Sequence, residues 1–347
     1  MKQVLRLRKL MYKLGILSPV RLPSLVVSVG NISLGGTGKS PLIAHLAEWL
    51  ICDMRRRVLL LTRGYGRKSK IPVYVGPADA LPSSQAIGDE PWMIRNRVPG
   101  LSILVHRNRA HQAEEVWSSL GDPEVVLMDD AFQHWKAERD IDIVTVDATE
   151  GIDLPVLPFG RLREPAVALG RADIVIITRA NEVEQKNLDS LLARVREFTR
   201  VKESVLWKSD RCAKKDIPVL QVDYELSGLF LHDELLSLDT LKHRPLVLIS
   251  GIAKPKSFRL LLEREGLEIL HHISLNDHAY PDERDFVNLK NILETEPRSM
   301  LVTTEKDWAR LHQWFNERDL IPACTKIRLR FRGDGEARLH RFIEEIL

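Results

Sequence analysis

The chain has 347 residues, room for two domains and a large core, and its 44% hydrophobic, 29% charged composition excludes intrinsic disorder. The net charge of +3 is unremarkable and gives no reason to expect a nucleic-acid partner. Three scattered cysteines, Cys52, Cys212 and Cys324, speak against a disulfide framework or a structural zinc site and favour a reducing cytosol.

The first carboxylate in the chain is Glu48, so Lys2, Arg6, Arg8, Lys9, Lys13 and Arg21 make the N-terminus locally cationic. On a helix, Val4, Leu7, Met11 and Leu14 share one face, while Lys2, Arg6, Lys9 and Lys13 share the other. That layout fits a helix lying in the interface of an anionic membrane, and equally a surface helix on its own domain. No apolar run approaches the ~18 residues that a membrane span needs, and basic residues interrupt anything resembling a signal peptide.

From Leu25 onward, apolar strand patterns alternate with helical ones. Strands are expected at Leu25–Val29, Val58–Thr62, Ser102–Val105, Val125–Met128, Ile141–Val146 and Ile174–Thr178, with helices at Pro41–Met54, Asp89–Asn96 and Arg109–Ser118. Near-continuous apolar strands separated by helices imply a doubly wound, mostly parallel α/β sheet. The stretch "DIPVLQVDYELSGLF" reads as linker strands. Alternation then restarts with strands at Leu246–Ser250, Leu267–Ile273 and Met300–Thr303 and helices at Lys256–Glu265, Asp282–Glu294 and Glu305–Phe315. The expected organisation is an N-terminal amphipathic helix over 1–20, a core domain over 21–215, linker strands over 216–243 and a smaller α/β domain over 244–347. The last strand, Lys326–Arg330, and helix, Glu336–Leu347, can cap either domain.

"VVSVGNISLGGTGKSP" joins a strand to a helix through a glycine-rich turn. Gly35, Gly36, Thr37 and Gly38 can turn backbone N–H groups onto phosphate oxygens, and the helix N-terminus adds partial positive charge. Lys39 would reach the β- and γ-phosphates and Ser40 would ligate Mg²⁺. Ser33 occupies the first glycine position of the usual G-x-x-x-x-G-K-[ST] pattern, but the nest is built by the residues just before Lys39.

A phosphate loop needs a second carboxylate for its metal, and Asp129-Asp130 end the apolar strand of "EVVLMDDAFQH", where open α/β sheets bind ligands. In "AIGDEPWMI", Asp89 and Glu90 open a helix; they suit helix capping, and equally a base that orients an attacking hydroxyl. "LTRGYGRK" places Arg63 and Tyr65 on a glycine-rich basic loop beside the same sheet edge, as expected for an anionic substrate. "LPFGRLREP" adds Arg163 and Glu164, and "NDHAY" holds His278 in a loop of the second unit, where a lone histidine carries little weight.

Together these stretches resemble the tetraacyldisaccharide 4′-kinase family, the lipid A 4′-kinases of Gram-negative bacteria. The matching segments are "RLPSLVVSVGNISLGGTGKSP", "LTRGYGRK", "GDEP", "DDAFQH", "LPFGRLREP", "DIVIITR", "GIAKPKSF", "DHAY" and "TTEKDWARL", which span nearly the whole chain. The resemblance implies transfer of the γ-phosphate of ATP, with Mg²⁺, to the 4′-hydroxyl of a tetraacylated glucosamine disaccharide 1-phosphate. It implies a peripheral enzyme at the cytoplasmic face of the inner membrane, with the lipid A precursor and the anionic membrane surface as partners, no nucleic acid and no obligate protein partner. It implies a P-loop core joined by a strand linker to a smaller domain, with the site between them.

Residue by residue, Lys39 and Ser40 resemble the family's Walker lysine and metal ligand, Asp89 its catalytic base, with Glu90 beside it, and Asp129 and Asp130 its metal-site acids. His134 belongs to the same motif as these acids. Arg109, Arg163 and Glu164 resemble polar active-site residues, and His278 a histidine that approaches the phosphates when the domains close. Ser40 stands where threonine is commoner, and Ala131 where glycine is usual. The glycine-rich loop alone would also suit a regulatory or metal-insertion GTPase. That reading needs [NT]-K-x-D after a strand, where this chain has "TRAN" at Thr178–Asn181.

Overall fold

A computed structural model describes residues 11–12, 14, 16–67, 69–200, 216–231, 234–237 and 241–347. Most of the expected N-terminal helix, including Val4, Leu7 and its basic face, lies outside the described residues. Among the described residues no helix is long and apolar enough to cross a membrane.

The first apolar run forms β1 (Leu25–Asn31), flanked by β5 (Val125–Asp129) and β6 (Ile141–Asp147), both parallel to it. Outward from β5 lie β2 (Val58–Thr62), β4 (Ser102–Val105) and the antiparallel edge β3 (Val73–Val75); outward from β6 lies β7 (Ile174–Thr178). Every residue of β2, β4, β5, β6 and β7 is buried, as continuous apolar runs covered on both faces must be.

β8 (Val219–Leu231) belongs to both halves. Its first residues pair parallel with β7 and the rest pair antiparallel with β13 (Ala323–Phe331). This reversal sets the direction of the second group, β12 (Met300–Thr304), β10 (Leu246–Ser250) and β11 (Ile269–Ser274), which run parallel to β13. A short β9 (Glu234–Leu236) pairs with β8, and the strands join into one sheet in the order β11-β10-β12-β13-β8-β7-β6-β1-β5-β2-β4-β3.

Among the described residues the α-helices, in chain order, are α1 (Lys39–Glu48), α2 (Ser84–Ile87), α3 (Asp89–Arg97), α4 (Arg109–Glu115), α5 (Gln185–Arg200), α6 (Pro255–Arg264), α7 (Glu283–Thr295), α8 (Glu305–Asn316) and α9 (Gly335–Glu344). Helix α1 buries Leu42, Ile43 and Leu46 against the sheet; truncating one such leucine costs about 2–5 kcal/mol. The helix expected to run to Met54 ends its α-geometry at Glu48 and continues as a wider π-turn, Trp49–Asp53, where Trp49 stacks on His340 of α9. Leu339, Phe342 and Ile343 of α9 share the core of Leu42 and Leu46, so the last helix packs on the first half of the molecule. This choice was open in the sequence. It is decided by the apolar face that α9 and α1 bury together.

Candidate active site

The carboxyl ends of both strand groups open onto one cleft of about 700 Å³, lined by the glycine-rich loop, Asp129, Asp130 and Arg163 on one bank and Lys254, His278 and Lys306 on the other. The loop leaves β1 at a close approach. A Cβ at Gly30 would stand 2.8 Å from the Phe132 backbone nitrogen, so only glycine lets β1 meet the "DDAFQH" segment. At the far end Gly38 holds φ 87°, and a side chain there would overlap the Tyr224 hydroxyl.

The loop is fixed from beneath by strand-borne polar groups. Asn31 Nδ2 donates to Thr37 Oγ1 (2.8 Å), which also shares a hydrogen bond with Thr145 Oγ1 (2.8 Å). The Thr178 hydroxyl donates to the Thr37 carbonyl (3.0 Å) and Arg179 to the Gly36 carbonyl (2.9 Å). With the loop carbonyls engaged behind it, the backbone is shaped before any ligand arrives.

Asp130 sits at φ 49°, a left-handed backbone held by its surroundings. Both of its carboxylate oxygens accept from Arg163 (2.9 and 2.8 Å), and Lys39 Nζ stands 3.5 Å away. Burial opposes ionisation of Asp130, but Lys39 and Arg163 outweigh it and hold the carboxyl below its usual range. At Asp129 the balance goes the other way: burial, reinforced by the Glu90 carboxylate, pushes it up to about 6 against the pull of Lys39. Thr62 donates to Asp129 Oδ2 (3.1 Å), while Oδ1 is buried with no hydrogen-bond partner among the described residues. A buried carboxylate oxygen without a donor, in a cleft also lined by the phosphate nest and Ser40, fits a hard cation such as Mg²⁺.

On the same half of the molecule, Asp89 begins α3 behind the left-handed Gly88, and its Oδ2 lies 3.3 Å from Nδ1 of His278, which comes from the other bank. His278, at φ 61°, donates its backbone N–H to the Gly251 carbonyl (3.0 Å). Lys306 Nζ lies 3.1 Å from His278 Nε2 and 3.3 Å from Glu90. An ammonium can only donate, so Nε2 is the acceptor and Nδ1 carries the proton toward Asp89. His278 and Glu90 line the cleft, whereas Asp89 is not among its lining residues and stands behind the imidazole.

Arg63 and Tyr65 line the cleft. Arg109 does not reach it. It is fully buried and donates to the carbonyls of Asp129 (2.7 Å) and Asp130 (3.2 Å), so it shapes the acidic turn from behind. Burial lowers its guanidinium to about 10, still charged at neutral pH. His134 is buried beneath the same turn, and Glu164 forms a buried ion pair with Arg171 (2.9 Å); neither lines the cleft.

Sequence reasoning missed a cluster on the cleft's other side. Asp147 ends β6 and pairs with Arg179 and, across the cleft, with Lys254. Lys254 also lies 3.2 Å from Glu150. Burial opposes ionisation of Asp147, yet Arg179 and Lys254 overcome it and keep its carboxyl low. The signal was present: Asp147 ends an apolar parallel strand as Asp129 does, and Lys254 lies in the quoted "GIAKPKSF". The "TRAN" stretch is wholly engaged. Thr178 and Arg179 hold the loop, and Asn181 exchanges hydrogen bonds with the Tyr224 backbone (2.8 and 3.2 Å).

A strand–loop–helix phosphate nest, a free carboxylate oxygen and a histidine brought from a second α/β unit define a P-loop phosphotransferase. Residues 1–347 match the family described as Tetraacyldisaccharide-1-P 4′-kinase, and the chain belongs to that family. It is 35% identical to the tetraacyldisaccharide 4′-kinase of Syntrophobacter fumaroxidans, over 93% of this chain and 80% of that one. It is 29% identical to that of Bdellovibrio bacteriovorus, over 99% and 96%. Among solved structures it resembles LpxK from Aquifex aeolicus, described as an "apo" form in complex with ATP. The TM-score is 0.71 at 27% identity, covering 98% of this chain and 95% of that one.

Proposed function

We propose that this chain transfers the γ-phosphate of ATP to the 4′-hydroxyl of a tetraacylated glucosamine disaccharide 1-phosphate, a late step of lipid A biosynthesis, at the cytoplasmic face of the inner membrane. Family membership over the whole chain supports the reaction. The observation that carries the site is His278, which lines the same cleft as the glycine-rich loop with Asp89 behind it at Nδ1.

In this reading the backbone of Gly35–Ser40 holds the phosphates, and Lys39 and Arg163 draw off charge developing on the transferring group. Ser40 and Asp129 would hold Mg²⁺, which when bound neutralises phosphate charge. Asp129 suits this better than Asp130, whose two oxygens are already taken by Arg163. Transfer through a loose transition state leaves the protein mainly to position the hydroxyl. His278 Nε2 takes its proton, after Lys306 yields that position and retains Glu90. Asp89 fixes the tautomer and stabilises the imidazolium. It acts one atom group further from the hydroxyl than a direct base would.

The N-terminal segment would hold the protein at the membrane surface. Its continuation supports this, since Leu14 and Ile16 are 64% and 63% exposed beside an acid-free, basic stretch. The test is an assay with ATP labelled at the γ-phosphate and the disaccharide 1-phosphate in mixed micelles. Label is expected in the lipid. Release of inorganic phosphate alone, with GTP preferred, would overturn the kinase reading in favour of a switch GTPase. Removing residues 1–14 should weaken sedimentation with anionic vesicles; unchanged sedimentation would make the segment structural only.

A further inference from the structure

Helices α1 and α9 meet at a cluster with no part in phosphoryl transfer. His45 lies on α1, two turns beyond Lys39, and Glu336 and His340 lie one turn apart on α9. One ligand atom from each of the three residues falls within 4.8 Å of the others. Trp49 covers the far face of His340 with parallel rings 3.9 Å apart, and the two imidazoles lie 5.8 Å apart, nearly parallel.

Two details distinguish this cluster from a stack of aromatic rings closing a helix contact. The Nε2 atoms of His45 and His340 are both buried without a hydrogen-bond partner among the described residues. His45 Nε2 also faces Glu336 Oε1 at 3.3 Å without the alignment of a hydrogen bond. A ring nitrogen and a carboxylate oxygen set this way can both ligate one cation. Neutral imidazole is the form that binds metal.

We propose that His45, Glu336 and His340 form a site for a divalent transition metal, Zn²⁺ by preference, that fastens the C-terminal helix to the phosphate-loop helix. Two imidazole nitrogens and one carboxylate oxygen are a donor set that suits Zn²⁺ and leaves a position for water. The absence of paired cysteines, which spoke against a structural zinc site in the sequence, does not bear on a site built from histidines contributed by residues almost three hundred positions apart. The site is separate from the Asp129–Asp130 pair, so Mg²⁺ in the active site and Zn²⁺ here would bind independently.

The test uses the full chain, stripped by chelator and titrated with Zn²⁺ in saturating Mg²⁺, so that the active-site acids are occupied. One Zn²⁺ should bind, thermal stability should rise with it, and Co²⁺ in its place should give the visible absorption of a low-coordinate N/O site. Glu336→Gln and His340→Gln should each weaken Zn²⁺ binding by about tenfold or more and abolish the stabilisation. Glu336 is half exposed, so its variant should fold even if the His340 variant does not. Equal Zn²⁺ affinity and equal stabilisation in the wild type and Glu336→Gln would overturn the site, as would no Zn²⁺ binding to the wild type.

Discussion

The two banks of the cleft are built differently. On the phosphate-loop bank, side chains of the buried strands β1, β6 and β7 hold the loop through short-range hydrogen bonds, from Asn31, Thr145 and Thr178 to Thr37. On the other bank, Lys254, His278 and Lys306 extend from loops and a helix start, and they meet the first bank through ion pairs, with Asp147, Asp89 and Glu90. The first bank is preorganised by packing. The second is coupled by charge, which leaves it free to adjust when a nucleotide and a lipid headgroup enter.

That contrast can be broken at either bank. Lys39→Ala removes the fixed bank's charge at the transferring group, and kcat/KM for ATP should fall by about 10²–10³-fold or more in steady-state assays. A much smaller loss would mean that the nest alone does the work.

A pH effect of intermediate size belongs behind the fixed bank. His45, lowered to about 4 in the folded chain, is protonated more readily when unfolded, near pH ~6.5. Its contribution is therefore fully present above that pH and is lost as pH falls toward 4. The loss for metal-free protein is up to about 3 kcal/mol. Denaturant melts of wild type and His45→Gln across that window check it; parallel pH profiles would contradict the buried neutral ring.

Lys254→Ala should cost less, because Arg179 still neutralises Asp147. A stability loss of about 1–2 kcal/mol is expected, with a rise in KM for ATP and a smaller change in kcat. A collapse of kcat like that of Lys39→Ala would show that the second bank is no more adjustable than the first. Thr178→Val should be the mildest, about 1 kcal/mol of stability, since it deletes one hydrogen bond to the Thr37 carbonyl and keeps the shape. Unchanged melting would remove that tether from the list of supports.

The same contrast explains what was legible in the sequence. Strands β1, β2, β4, β5, β6 and β7 coincide with their expected runs to within two residues, because burial on both faces leaves an unambiguous signature, whereas the short, partly exposed edge strand β3 was not expected. Lys39, Ser40, Asp129 and Asp130 could be chosen because their positions follow from local geometry: a glycine-rich turn and the carboxyl end of a strand. Arg179 and Lys306 could not, because each acquires its role from partners far along the chain, Asp147 for Arg179 and Glu90 for Lys306. Arg109 and Glu164 fall between these cases. Their motifs pointed to the site, but nothing local told that one would be buried against two carbonyls and the other paired with Arg171. The end of α1 at Glu48 was likewise invisible, since its continuation as a π-turn depends on packing against α9.

The central claim is that Asp89 and His278, brought from opposite banks, act as one unit. A double-mutant cycle measures it directly: turnover of wild type, Asp89→Ala, His278→Ala and the double variant with ATP, Mg²⁺ and the disaccharide 1-phosphate. A coupled pair predicts that each single change lowers kcat by about 10²–10⁴-fold and that the double loses little more than the worse single. Losses that multiply in the double variant would contradict the pair and assign the two residues separate tasks.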